Sequence, residues 1–223
     1  MKKNFVALVL TACVGLSATA FAACKDEPQA KGMPYAEWQK AVAERNFLNF
    51  TLTQSGNVSQ YEHETLIEKS SVNLTLKFDV DAFSLSGTVL PDGAEQANTL
   101  KLTAFDDEAE DYRVAYTELV FILLNEYSIY DYRAKKQVYS LGKATTLEDK
   151  VIDGELCTLF IEKATLAFTA ANKVSSLSCN YTQTSESGYK TVAQMTWTFS
   201  GYDLTELEEP EEEGDGIQDL PSE

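Results

Sequence analysis

His63 is the one histidine among the 223 residues, and it lies between two acids in Tyr61-Glu62-His63-Glu64-Thr65. An imidazole beside a carboxylate could serve as a general base or a metal site. The alternation through this stretch places His63 in a strand, where residues one apart point to opposite faces, so neither Glu62 nor Glu64 shares a face with the ring. Asp106, Asp107, Glu108, Glu110 and Asp111 offer the hard oxygen ligands that calcium takes. They lack the glycine and alternating ligand spacing of a calcium loop, and capping of a helix accounts for them. Asp79-Val80-Asp81 reads first as a turn. No nucleophile elbow or other catalytic motif is present. The expectation is therefore a protein that is not an enzyme, with no catalytic residue, no metal and no cofactor.

Cys24 is the residue whose surroundings point to definite chemistry. It closes MKKNFVALVLTACVGLSATAFAAC, in which Lys2 and Lys3 form a charged start, Phe5 to Leu16 an apolar run and Phe21-Ala22-Ala23 a small-residue processing site. This resembles the lipobox of bacterial lipoproteins, in which the cysteine thiol is acylated and becomes the first residue of the mature chain. Ala20-Phe21-Ala22 also fits ordinary signal cleavage, the other reading of the same segment. Acylation with two or more chains anchors a protein stably, whereas one chain binds only marginally. The reading is a lipid anchor at Cys24, palmitate-type acylation included, holding the protein at the cell membrane and facing outside the cytoplasm.

Charge and cysteine content narrow the partners. The net charge is −17, and removing Lys2 and Lys3 with the signal takes it to −19. Such a chain as a whole repels phosphate backbones and anionic lipid headgroups, so no nucleic-acid partner is expected. Arg133, Lys135 and Lys136 form the nearest basic cluster, in what reads as a solvated hairpin turn. Cys157 and Cys179 are the only cysteines of the mature chain besides Cys24, and the strand pattern puts them out of register, as two small core residues rather than a bridge. The four N-x-S/T sequons at Asn49, Asn57, Asn73 and Asn180 reflect Ser/Thr-rich strands.

The elements that would position a site follow from periodicity. Val72, Leu74, Leu76, Phe78 and Val80 alternate with polar residues, the pattern of a half-buried antiparallel strand. The same alternation occurs at Leu48-Phe50-Leu52, Phe83-Leu85, Leu100-Leu102-Ala104, Ala164-Leu166-Phe168, Leu177-Cys179-Tyr181 and Ala193-Met195-Trp197-Phe199. Turn chemistry falls at Ser55-Gly56-Asn57, Asp79-Val80-Asp81, Pro91-Asp92-Gly93, Ala171-Asn172-Lys173 and Ser187-Gly188. Strands with one apolar face suit an antiparallel sheet covered on one side. Pro34 to Arg45 predicts a short amphipathic helix and Asp106 to Glu126 a longer one, with Asp106 and Asp107 as N-caps. The longer helix is apolar nearly all round, through Tyr112, Tyr116, Leu119 and Leu123 and then Val120, Phe121, Ile122 and Leu124. A helix of that kind must be buried nearly all round, so the sheet must curl about it.

The stretches AEWQKAV, FLNFTLT, DYRVAYTELVFILLNEYSIYDYRAKKQVYSL, KATLAFTAANKVSSLSCNYTQ and TWTFSGYDL, spanning most of residues 35 to 204, carry a resemblance. Their order resembles the LolA/LolB-like half-barrel of periplasmic lipoprotein carriers, and a set of uncharacterised lipoproteins from Gram-positive gut bacteria. Tyr202-Asp203-Leu204 departs from the Tyr-Gly-Thr ending of that pattern. The expected fold is α+β, mainly antiparallel β: a curved half-barrel sheet wrapped around a central helix, with a short N-terminal helix.

Four segments result: a lipoprotein signal peptide at 1–23, a polar tether at 24–32, the β half-barrel domain at 33–205 and an acidic disordered tail at 206–223. The tail holds nine acids and no base. The resemblance implies that the space between sheet and helix admits acyl chains. Phe78, Tyr116, Phe121, Trp197 and Phe199 would line that space. The first function expected is a non-enzymatic envelope lipoprotein that binds a lipid or other apolar ligand there. The second is a structural or interaction lipoprotein whose core is filled by Val120 to Leu124 and takes no small molecule.

Overall fold

A computed structural model describes residues 32–134, 136–203 and 207. Cys24, the signal segment, most of the tether and all of the acidic tail except Leu207 lie outside the described residues.

Alternation becomes strands where expected. β1 (Phe50–Glu62), β2 (Thr65–Asp79), β3 (Ala82–Pro91) and β4 (Asn98–Phe105) precede the central helix, and β5 (Tyr130–Arg133), β6 (Val138–Leu141), β7 (Thr145–Ile152), β8 (Glu155–Phe168), β9 (Val174–Ser185) and β10 (Tyr189–Ser200) follow it. All ten join one antiparallel sheet in the order β4-β3-β2-β1-β10-β9-β8-β6-β5, with β7 pairing on β8. The sheet is curved and open, with β4 and β5 at the ends of the path, so the expected fold class stands. The first and last strands meet at its centre, from Thr51 opposite Ser200 to Glu62 opposite Tyr189. β8 serves two neighbours. Its first half pairs with β7, a bulge follows between Ile161 and Lys163, and its second half pairs with β6 at Thr165 and Leu166. A bulge bends its strand, which lets β7 diverge from β6.

Two helices cover the concave face. α1 (Tyr35–Ala41) is shorter than the sequence suggests, because the chain breaks into a 3-10 turn at Glu44–Phe47. α2 (Asp106–Asn125) packs on β3 and β4 along one side and touches β7 on the other. Neither Asp106 nor Asp107 caps it, contrary to expectation. Phe105 occupies the cap position, while Asp106, at φ 52°, donates its backbone N–H to the Asp81 carbonyl at 2.8 Å. Nor is α2 buried all round. Val120, Leu123 and Leu124 are buried, whereas Tyr116, Leu119, Phe121 and Ile122 are only partly so.

Two local readings are corrected. Ser55-Gly56-Asn57 lies inside β1, with Gly56 opposite Val72 on one side and Met195 on the other. A Cβ there would come 2.1 Å from the Gln194 carbonyl oxygen, so the glycine serves close strand approach rather than a turn. His63 is not in a strand. His63 and Glu64 form the two-residue turn between β1 and β2, with φ of 45° and 68°, the positive pair that twisted hairpins favour.

Candidate functional site

The concave face is built from the inward residues of the strands and closed by aromatic side chains from outside the sheet. Phe50 and Phe78 face each other across β1 and β2 and stack at 4.6 Å, and Phe83 tilts against Phe78 at 5.2 Å. α2 lays Tyr112 and Tyr116 on Phe83, with ring centroids at 5.0 and 5.7 Å. Phe47, at the end of the 3-10 turn, stands edge-on to Phe121 of α2 at 5.0 Å and to Phe199 of β10 at 5.8 Å. Such edge and offset contacts contribute about 0.5–1.5 kcal/mol each beyond burial.

The five residues expected to line a cavity divide accordingly. Phe78, Trp197 and Phe199 have 0, 2 and 5% of their surface exposed, and Tyr116 and Phe121 pack against the same cluster from α2. Phe78, Phe121 and Phe199 are linked through Phe47 and Phe50, and Tyr116 joins through Phe83. Trp197 sits farther along β10, opposite Gln54 and Leu177. Sequence reasoning missed Phe47. It has the opposite parity to Phe50, so alternation assigns it outward, and only the 3-10 turn swings it inward. Neither strand alternation nor helical spacing from Trp38 and Val42 marks it.

Polar groups in this core are matched or kept neutral. Trp38 Nε1 donates to the Leu124 carbonyl at 2.9 Å, and the Tyr130 hydroxyl donates to that of Leu123 at 3.1 Å. Burial pushes the Tyr116 hydroxyl up to about 12, and burial drives Tyr130 and Tyr202 upward too. Burial also raises the Cys179 thiol to about 12, which leaves it protonated and unreactive. Cys157 and Cys179 are free, opposite Ser185 and Ala164 respectively on the β8–β9 pair.

Elsewhere the candidate chemistry is dispersed. Glu62 accepts a hydrogen bond from the Tyr189 hydroxyl at 3.2 Å, and Glu64 pairs with Lys190 at 2.8 Å, so neither acid is directed at His63. Among the described residues no three His, Cys, Asp or Glu side chains converge as metal ligands. Arg113 clamps α2 to the β2–β3 turn, donating to the Val80 carbonyl and to Glu110, each at 2.6 Å.

A depression of about 250 Å³ lies on the outer face of the sheet, among Asn57, Phe160, Glu162, Asn180, Val192 and Gln194. Phe160 and Val192 expose 43 and 38% of their surface there. No described helix is long and apolar enough to cross a membrane.

No protein-family model and no curated protein matches the chain. Among solved structures, it is similar to a proposed outer membrane lipoprotein-sorting protein domain from Vibrio parahaemolyticus, at 8% identity and a TM-score of 0.24, over 77% of this chain and 95% of that one.

Proposed function

We propose that this protein is a non-enzymatic lipoprotein, anchored at the cell membrane through Cys24 and facing outside the cytoplasm, that acts through its surface rather than through a bound small molecule. The observation that supports a surface role is the filled concavity. Phe78, Trp197 and Phe199 are buried, Phe47 occupies the space between β1, β10 and α2, and Trp38 fills the equivalent space beside β6 and β8. The outer face around Asn57, Phe160, Glu162 and Gln194, mostly neutral with one acid, offers the contact area, and a protein is the partner that such a shallow face suits.

The carrier reading keeps one favourable observation. Tyr116, Leu119, Phe121 and Ile122 remain partly exposed along α2, an apolar flank that an acyl chain could cover. The two readings separate in one experiment. The full chain, expressed with its signal, is purified in mild detergent and examined by native mass spectrometry, then titrated with a fluorescent fatty acid. A mass that carries only the Cys24 modification, with no saturable probe binding, is the expected result. A copurified lipid beyond that modification, or stoichiometric probe binding, establishes the carrier reading instead. Fatty-acid labelling that persists in Cys24→Ala removes the anchor from either.

A further inference from the structure

The start of the domain packs on a feature that the proposed function does not use. Gly32 lies against the β5–β6 hairpin: a Cβ on it would come 2.5 Å from the Tyr139 hydroxyl and 2.7 Å from the Tyr132 ring. Met33 is held there from both sides, its N–H donating to the Tyr139 hydroxyl and its carbonyl accepting from the Tyr127 hydroxyl at 3.4 Å. Eight peptide steps connect Gly32 to Cys24, a reach of about 30 Å at most. A lipid on Cys24 therefore holds Gly32, and the hairpin it packs on, within about 30 Å of the membrane surface.

Charge is distributed to match. The hairpin ends in Arg133 and Lys136, both exposed, in a chain of net charge −17. Arg133 is held out by its Nε donating to the Ser140 hydroxyl at 2.9 Å; Asp131 lies 3.6 Å from its guanidinium, and Glu37 of α1 acts on Tyr139 on the inner side of the same hairpin. The acids at the start of α2 are at the other end. Trp38, just past the tether, bonds to Leu124 near the C-terminus of α2, and twenty residues of helix separate that end from Asp106 by about 30 Å. An anionic membrane attracts the hairpin and repels the far end, so both forces give the same orientation.

We propose that the β5–β6 hairpin is the membrane-facing surface of the domain, with Arg133 and Lys136 contacting anionic lipid headgroups. The inference rests on the Cys24 anchor. Each basic residue at such a surface is worth about fivefold in the docking equilibrium, so neutralising both shifts it by about thirtyfold.

The test uses the full lipidated chain in vesicles of phosphatidylcholine with or without phosphatidylglycerol. A fluorophore at Gln137→Cys or, as a reference, at Asp107→Cys is quenched by spin-labelled lipid headgroups. Expected are strong quenching at 137 and weak quenching at 107 with phosphatidylglycerol present, lost in R133Q/K136Q and in high salt while the protein still floats with the vesicles. Flotation scores the anchor and quenching scores the hairpin. A chain that fails to float, or floats equally as Cys24→Ala, overturns the anchor and this orientation with it. A chain that floats but shows equal quenching at 107 and 137, or the same quenching in R133Q/K136Q, overturns the hairpin surface alone.

Discussion

Trp38 Nε1 donates a 2.9 Å hydrogen bond to the carbonyl of Leu124, joining the first helix to the last turn of the central one across 86 residues of sequence. That carbonyl belongs to a turn that has no intrahelical donor, and the indole supplies one. The ring is 1% exposed and lies edge-on to Tyr127, Tyr139 and Phe168 at 5.0 to 5.1 Å. Trp38→Ala should therefore cost about 3–5 kcal/mol. Trp38→Phe keeps most of the packing but strands the carbonyl, at about 1–3 kcal/mol. Urea unfolding followed by far-ultraviolet circular dichroism measures both, and equal losses for the two variants would deny the hydrogen bond its role.

A second prediction concerns how the sheet curves. Gly87 of β3 has φ 150°, and a Cβ on it would meet the Asn73 carbonyl oxygen at 2.2 Å and the Leu74 Cα at 2.8 Å. These are backbone atoms of the neighbouring strand, which no rotamer change can move. Gly87→Ala should destabilise the domain by about 1–3 kcal/mol. Gly142→Ala meets only the Asp131 carboxylate, at 3.0 Å, a side chain that can swing away, and should be close to neutral. Thermal melts of the two variants side by side give the comparison.

The sequence made the long elements legible and concealed the joints. β2 and α2 were readable because Val72 to Val80 and Tyr112 to Leu124 repeat their periods over enough residues to outweigh local noise. Gly56 was misread because Ser-Gly-Asn is turn chemistry locally, while its place in β1 is set by Val72 and Met195, which are remote in sequence. β5 and β6, of four residues each, are too short for alternation to register. At the site, the strand aromatics Phe78, Trp197 and Phe199 declared themselves by parity. Phe47, which packs against Phe199 and Phe121, depends on a 3-10 turn that no period reveals.

The β7–β8 turn carries a charge conflict with a pH signature. Glu118 of α2 accepts the backbone N–H of Asp153 at 2.8 Å. Burial and then the neighbouring Glu155 push the Asp153 carboxyl above its ordinary value, and burial raises Glu118, opposed by the hydrogen bond from the Asp153 N–H and less strongly aided by the Asp153 charge. A carboxyl raised in the folded state binds its proton more tightly there than in the unfolded chain. Its contribution to stability is thus full below the unfolded value and lost as pH rises through the folded one. Asp153→Asn removes the charge and tolerates φ 54°, which asparagine adopts readily. It should stabilise the protein at pH 7, by less than about 1 kcal/mol given solvent screening, with the gain shrinking as pH falls into the carboxylate range. Urea midpoints at pH 7 and pH 4 check the sign; a gain that grows on acidification contradicts it.

Whether the concavity is filled can be tested by emptying it. Leu123 is fully buried on the inner side of α2, within the cluster that holds Phe78 and Trp197. Leu123→Ala removes its side chain where the sheet and helix are already fixed, and should cost about 2–5 kcal/mol with incomplete collapse. An apolar cavity of that origin stays dry and accepts a benzene-sized guest. Benzene should then raise the melting temperature of Leu123→Ala and leave the wild type unchanged, because a ligand stabilises only a fold that has room for it. A comparable rise in the wild type would mean that the native core already holds a receptive space, and the surface role would give way to the carrier.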